Sequence, residues 1–337
     1  DVSAFIAMHR EEARLFGHAA EKQSKNGQAS FLLRVTLNPS GKSEKNNVLN
    51  AKAGAHYFGY GLMSTAGKLT RGCLNRGQDF ELTLLFRNGI DTSIRDALIA
   101  WGLLGGLGSR TRRAYGSVAL KSIEVDGKED WELPGTAEQY FKSIQDTLKR
   151  YQSAAIGNGE PPFTALSQHS RIDCLTTGNH PIEVINELGR AMLLYRSWGR
   201  SNGGPHIVAG GDLSEKRFVA DHAWAKNTRL PNFHPVRVAF GLPHNYGNNP
   251  LDQIEAERHK RRASPLLFHV HPVGIEFLGV SVYLPAQFLP AGEKINAGGV
   301  LVPASIDWSV ITDFMDGELG NPATGIDRFP ARNGIWP

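Results

Sequence analysis

The chain has 337 residues, with 37 basic and 33 acidic side chains, a net charge of +4 and a pI near 9.0. Its 41% hydrophobic and 21% charged content is that of a globular protein, long enough to bury a sizeable core without a disulfide or metal staple. The longest apolar run, residues 97–107, contains Gly102, Gly105 and Gly106 and falls well short of the roughly 18 apolar residues of a membrane span, which excludes a spanning helix.

So small a net charge does not by itself argue for nucleic-acid binding; the local distribution has to carry that case. Cys73 and Cys174 lie far apart and form no zinc pattern. No disulfide framework, metal or cofactor is expected, and a reducing cytoplasm is the expected compartment. The length suggests two domains.

Residues 1–16 place apolar and charged residues at helical spacing and stop at Gly17, a common helix end. They hold no signal-peptide core. Asp1 falls inside the helical pattern, so preceding residues are expected. Residues 29–37 (ASFLLRVTL) read as a strand, 38–50 as a polar loop, 51–77 as a glycine-rich, partly irregular insertion, and 80–86 (FELTLLF) as a second strand. Asp91, Thr92 or Ser93 can cap a helix over 91–104. Ile94, Ala97, Leu98, Trp101 and Leu104 share one face of that helix.

A Gly/Arg loop follows at 105–116, then an alternating strand at 117–125. Helix, strand, strand, helix, strand is the order of a ferredoxin-like βαββαβ unit that lacks its first strand. A helix is expected over 136–154. Residues 156–162 (IGNGEPP) mark the expected boundary between domains 1–157 and 158–337. In the second half a helix is expected over 181–198, with Ile185, Leu188, Met192 and Tyr195 on one face. Strands are expected at 236–240, 265–270 and 275–284, and a late helix at 305–314. This reads as a second α+β domain, with no short internal repeat.

The most informative stretch is GGLGSRTRRAYGS, residues 105–117, with four glycines, three arginines and no acid. Glycine allows close backbone approach, and arginine offers a planar fork of donors to phosphate. A nucleotide-binding loop would open a helix, whereas this one follows a helix and faces the negative end of its dipole. Gly41-Lys42-Ser43 resembles the end of a P-loop, but the required first glycine is Thr36. Two readings of the loop stand: a surface for a polyanionic backbone, or a helix stop followed by solvated arginines.

The loop, Gly105-Gly106-Leu107-Gly108-Ser109-Arg110-Thr111-Arg112-Arg113-Ala114-Tyr115-Gly116, resembles the GG-x-G-x-R-x-R-R-G-x-G loop of the RAMP superfamily, the RNA-binding subunits of CRISPR effector complexes. Ala114 stands where the family carries glycine. Residues 12–17 (EARLFG), 237–243 (RVAFGLP), 260–266 (KRRASPL) and 221–224 (DHAW) resemble stretches of subunit one of the type III-B (Cmr) complex.

That resemblance implies an α+β fold of two ferredoxin-like (RRM-like) domains and a non-catalytic RNA-binding subunit in antiviral defence. It implies a place at one end of the effector filament, near the 3′ end of the guide RNA, and help in capturing target RNA. Its partners would be guide RNA, target RNA and the adjacent backbone and small RAMP subunits, with no membrane. On this reading Arg110, Arg112 and Arg113 contact phosphates, with Ser109 and Thr111 beside them, while Gly105, Gly106 and Gly108 permit close approach. Tyr115 either stacks on a base or belongs to the core.

Three further groups stand out. Arg196 and Arg200 flank Trp198 beside a glycine-rich stretch, a pattern suited to single-stranded RNA or to a plain helix end. Arg258, His259, Lys260, Arg261 and Arg262 form a basic run. It is either a salt-bridged helical face, pairing Glu257 with Arg261, or a source of phosphate contacts by Arg261 and Arg262. His269 and His271 alternate on a strand, but two ligands make no complete zinc site, and hydrogen-bonded histidines are expected. Two alternatives remain beside RNA binding: a metal-independent guide-processing endoribonuclease and a protein-binding scaffold. No local His/Tyr/Lys grouping marks the first of these.

Overall fold

The chain folds as an α+β protein with small antiparallel sheets. A computed structural model describes residues 2–18, 27–37, 53–64, 69–70, 72–74, 76–152, 160–201, 203–226, 233–246, 252–317 and 327–337. The polar loop expected at 38–50, with its Gly41-Lys42-Ser43, and the boundary expected at 157 lie outside the described residues.

In chain order the elements are α1 (Val2–Phe16), β1 (Phe31–Leu37), α2 (Ala53–Phe58), β2 (Phe80–Phe86), α3 (Thr92–Leu104), β3 (Ser122–Val125), β4 (Lys128–Glu132) and α4 (Ala137–Gln152). Next come β5 (Arg171–Gly178), α5 (Pro181–Arg196), α6 (Val219–Lys226), β6 (His244–Asn245), β7 (Gln253–Ala256), β8 (Leu266–Val273) and β9 (Glu276–Tyr283). The chain closes with β10 (Lys294–Ala297), β11 (Val300–Pro303), α7 (Ser309–Asp316) and β12 (Asn333–Trp336). Short 3-10 turns occur at Thr111–Arg113 and Val236–Phe240.

The central sheet has the order β12-β5-β9-β8, antiparallel throughout. With α5 between β5 and β8, and α7 between β9 and β12, the path is that of a βαββαβ unit. Alternation on β8 sends Leu266, Phe268 and Val270 to one face and His269, His271 and Val273 to the other. The first face packs against Leu188, Met192 and Tyr195 of α5 and against Ile311 and Phe314 of α7. The second is covered by Ile99 and Leu103 of α3 and by Tyr140, Ile144 and Leu148 of α4. Helices from before residue 157 therefore cover a sheet from after it.

A second antiparallel sheet, β11-β10-β7-β6, is built from the insertions around β8 and β9. Near the N-terminus β1 and β2 pair along their full length as a two-stranded ribbon. Among the described residues β3 joins β4 and not that ribbon. The Asp126-Gly127 turn sets this hairpin, since both residues take the positive φ that a two-residue hairpin loop requires.

Three expectations are corrected. Residues 236–240 are a 3-10 turn and not a strand, because the Asp221 carboxylate accepts from the backbone N–H of Val236 (2.9 Å) and of Arg237 (3.1 Å), removing donors a ladder would need. On α3 the buried residues are Ile94, Asp96, Ile99, Gly102 and Leu103, while Ala97 is exposed. Asp96 is drawn inward as an ion-pair partner of Arg95 and Arg150, which rotates the buried face. The strand expected at 117–125 is confined to its last four residues, because Ser117 is used to close the glycine loop.

Candidate nucleic-acid interface

The glycine loop is a closed protrusion with a narrow neck. Asp91 caps the start of α3 by accepting from Ser93 N. At its far end Gly105 N donates to Trp101 O at 2.7 Å. Gly106 and Ser117 form an antiparallel bridge, and Leu107 N donates to Gly116 O at 2.8 Å. Gly116 has φ +74°, and a Cβ on it would lie 2.1 Å from Leu107 O, so the neck closes only with glycine there. A Cβ on Gly105 or Gly106 would meet Trp101 or Gly116, so these two glycines serve the neck as well. At the tip, Gly108, Ser109 and Arg110 are exposed, and no atom lies near Gly108.

The Thr111–Arg113 turn is flanked by two left-handed residues, Arg110 (φ 69°) and Ala114 (φ 63°). Ala114, at the position where the resembled loop carries glycine, is 2% exposed and donates its N–H to Phe268 O at 3.1 Å. This ties the loop to β8. Val270 N donates to Ser117 Oγ at 3.0 Å as a second tie.

The three loop arginines have different surroundings. Arg110 is exposed and lies over Gly61. Arg112 donates from Nη1 to Ser264 O at 2.7 Å. Arg113 runs inward, its guanidinium 5.3 Å from the Phe58 ring centroid and 5.9 Å from that of Phe268. Its Nη1 is buried with no hydrogen-bond partner among the described residues. Burial, with the like charge of Arg196, pulls its pKa down to about 10. Thr111 is half-buried. Tyr115 donates to Ala55 O at 2.8 Å and packs against the core, and burial raises its pKa to about 12.

Behind Arg113 stands a second set of cations. Arg196, at the end of α5, donates from Nη1 to the Tyr57 hydroxyl (3.2 Å) and from Nη2 to His244 Nε2 (3.3 Å). Its guanidinium lies 4.8 Å from the Phe240 ring centroid, and its Nε is buried without a partner among the described residues. His244 is held neutral: burial, then Arg196 and Arg237, push its pKa well below the usual value. Arg237 is anchored by Asp221 through Nε (3.0 Å) and donates from Nη1 to Arg196 O at 2.6 Å.

The remaining candidates are distributed around this centre. Arg200 is exposed and pairs through its backbone with Ile207. Trp198 stacks on His222 at 4.1 Å and 14°. Arg262 donates from Nε to Phe288 O (2.7 Å) and from Nη1 to Thr164 Oγ1 (3.1 Å). Arg261 is exposed on a turn, so the salt-bridged helical face expected over 257–262 does not form. His269 Nδ1 donates to Gly105 O at 2.9 Å, which leaves its Nε2 to accept from His271 Nδ1 at 3.2 Å. Both rings are buried, and they brace the loop from below. Among the described residues no His/Cys/Asp/Glu group has the makings of a metal site.

Stretches 221–224, 237–243 and 260–266 thus meet the glycine loop in one place. Asp221 holds Arg237, Leu242 pairs with Arg262, and Ser264 holds Arg112. Residues 12–17 lie elsewhere, where Arg14 reaches Asp91 at 2.9 Å. Tyr57, Phe58 and His244 belong to the site but do not stand out in the sequence. Tyr60, 73% exposed beside Gly61, joins them. The run His56-Tyr57-Phe58-Gly59-Tyr60-Gly61, aromatics interleaved with glycine, is the one signal that could have pointed to three of them.

No family model matches the sequence, and no curated protein matches it. Among solved structures, the crystal structure of Cmr1 from Pyrococcus furiosus in its apo form matches 98% of this chain and 83% of that chain, with a TM-score of 0.55 and 17% sequence identity. At that identity the likeness is one of fold: this chain shares the α+β architecture of Cmr1.

Proposed function

We propose that this chain is a non-catalytic RNA-binding subunit of a type III-B CRISPR effector complex, built on a pair of ferredoxin-like units. The carrying observation is electrostatic. Arg110, Arg112, Arg113 and Arg196 are gathered around the glycine loop, and none of the ion pairs among the described residues involves any of them. Holding cations together without acids is unfavourable, and a phosphate backbone supplies the missing charge. The likeness of fold to Cmr1 supports the same reading.

Arg110, Ser109, Gly108 and the neighbouring Tyr60 form the outward surface for RNA, with Arg200 and Arg261 extending it. Arg112, Arg113 and Arg262 hold the loop and raise the potential behind it. Guide RNA, target RNA and neighbouring Cmr subunits are the partners, with a place at the filament end near the guide 3′ end.

Two measurements test this. RNA that co-purifies with the protein from its host is expected to share one repeat-derived 5′ tag; a random mixture would count against the complex. Titration of single-stranded RNA at several salt concentrations should give a log–log slope lower by about 0.7 for Arg110→Ala than for the parent, one phosphate contact of a single strand. An unchanged slope removes the loop from the interface.

The endoribonuclease reading would rest on Tyr57 and His244, which Arg196 bridges. Cleavage of repeat RNA in EDTA, leaving a 2′,3′-cyclic phosphate, would favour it.

A further inference from the structure

The geometry points to a second phosphate-binding station on the turn that follows β7, with Glu293 as its positioning residue; this rests on the RNA-binding reading above. The turn is fixed from beneath. Glu257 N donates to Lys294 O at 2.9 Å, and Lys294 N donates to Glu257 Oε2 at 3.2 Å. The Glu293 side chain is fully buried. Its Oε1 accepts from Arg258 N (2.9 Å) and His259 N (3.0 Å), and its Oε2 accepts from His259 Nδ1. Lys260 closes the turn with φ +61° and donates its N–H to Ala256 O at 3.1 Å.

The outcome is a rigid turn with Arg258, His259, Lys260 and Arg261 all exposed. Lys260 pairs with Glu255 at 2.7 Å. Arg258 and Arg261 take part in none of the ion pairs among the described residues. The oxygens of Glu293, which lies under the turn, are occupied by backbone and imidazole donors. It orders the turn without neutralising the two arginines. With the backbone fixed, only the two arginine side chains remain to be ordered on binding a phosphate chain.

The turn is continuous with the glycine loop. Arg262 pairs with Leu242, and its pKa is lowered by burial and then by neighbouring Arg112, which in turn holds Ser264 O. Arg261 and Arg258, one and four residues before Arg262, are the exposed cations on this turn without an ion pair among the described residues. The chemistry recognised is a phosphodiester backbone, with no base requirement.

The test uses the full chain and single-stranded oligouridylate. Arg258→Ala/Arg261→Ala is expected to lower the log–log salt slope by about 1.4, two single-strand contacts, additively with Arg110→Ala. Glu293→Ala should lower affinity in the same direction, and Glu293→Gln, which keeps the Oε1 acceptor, should restore it. Thermal unfolding separates a loosened turn from a misfolded chain. If the double variant keeps the parental slope while Arg110→Ala lowers it, the second station is wrong and the RNA reading survives. If the parent binds no RNA, both fall. If the double variant keeps RNA binding but loses binding to polyglutamate, the turn serves an acidic protein segment and the inference is overturned.

Discussion

Arg110 shows how one position can serve binding at a cost to folding. Its φ of 69° puts a Cβ-bearing residue in the left-handed region, a strain of about 1 kcal/mol. The side chain is exposed and has no ion pair among the described residues, so little in the folded chain offsets that strain. Arg110→Gly should therefore unfold at a higher temperature than Arg110→Ala, by up to about 1 kcal/mol of stability, while both bind RNA more weakly. Equal melting temperatures for the two variants would show that the strain is absent. Ala114 shares the conformation but differs in burial. Its methyl packs in the core beside Phe58 and Phe268, so glycine there would relieve strain and lose packing together. In the sequence Arg110, Arg112 and Arg113 are alike, three arginines within four residues. Only the fold separates an exposed cation from one that holds a carbonyl and one that lies between two phenylalanine rings.

At the scale of elements, the β1–β2 ribbon is the weakest part of the described fold. Leu32, Leu33, Val35, Leu37 and Leu85 are all more than half exposed, and Leu32 and Leu33, being consecutive, face opposite sides. Two strands with neither face covered are marginal in water. In the isolated chain, amides of Phe31–Leu37 should exchange with deuterium roughly a hundred-fold faster than those of β9, which is paired on both sides and covered on both faces. Equal protection of the two would refute this ranking. The same contrast explains which elements were legible. α4 and α5 bury Tyr140, Ile144 and Leu148, and Leu188, Met192 and Tyr195, at plain helical spacing, and the sequence reading of both falls within two residues of their ends. β4, β10 and β11 were missed although Asp126-Gly127 and Gly298-Gly299 are strong hairpin turns, because strands of four or five residues carry too little alternation to register. Residues 236–240 are as apolar as a strand. What decides their conformation is the Asp221 carboxylate from another part of the chain, which no local pattern reveals.

At the scale of the molecule, the central sheet is sealed on both faces, and burial fixes the charge of three histidines, two of them on that sheet. His269 and His271 lie under α3 and α4, with His271 stacked on Tyr140 at 4.1 Å and Tyr140 donating to Leu103 O. Burial lowers the pKa of His269 to about 4 and, with His269 beside it, that of His271 to about 2; His244 is shifted the same way. An unfolded histidine titrates near 6.5. Above that pH all three are neutral in both states and cost nothing. Below it the unfolded chain takes up protons that the native chain refuses, so stability falls with falling pH, by up to about 1.4 kcal/mol per pH unit for each histidine. The loss continues for His269 until pH nears 4 and for His271 until pH nears 2. Glu215, whose pKa is raised by burial, opposes the trend, but only where carboxylates titrate. His271→Phe keeps a ring against Tyr140 and removes one titrating group. Urea unfolding between pH 6.5 and 5 should then depend on pH less steeply than in the parent, by about 1.4 kcal/mol per unit at most. Parallel slopes would mean that water reaches His271 in the native state. The sheet would then be open on the face that braces Gly105, and the glycine loop would stand on a softer base than its hydrogen bonds imply.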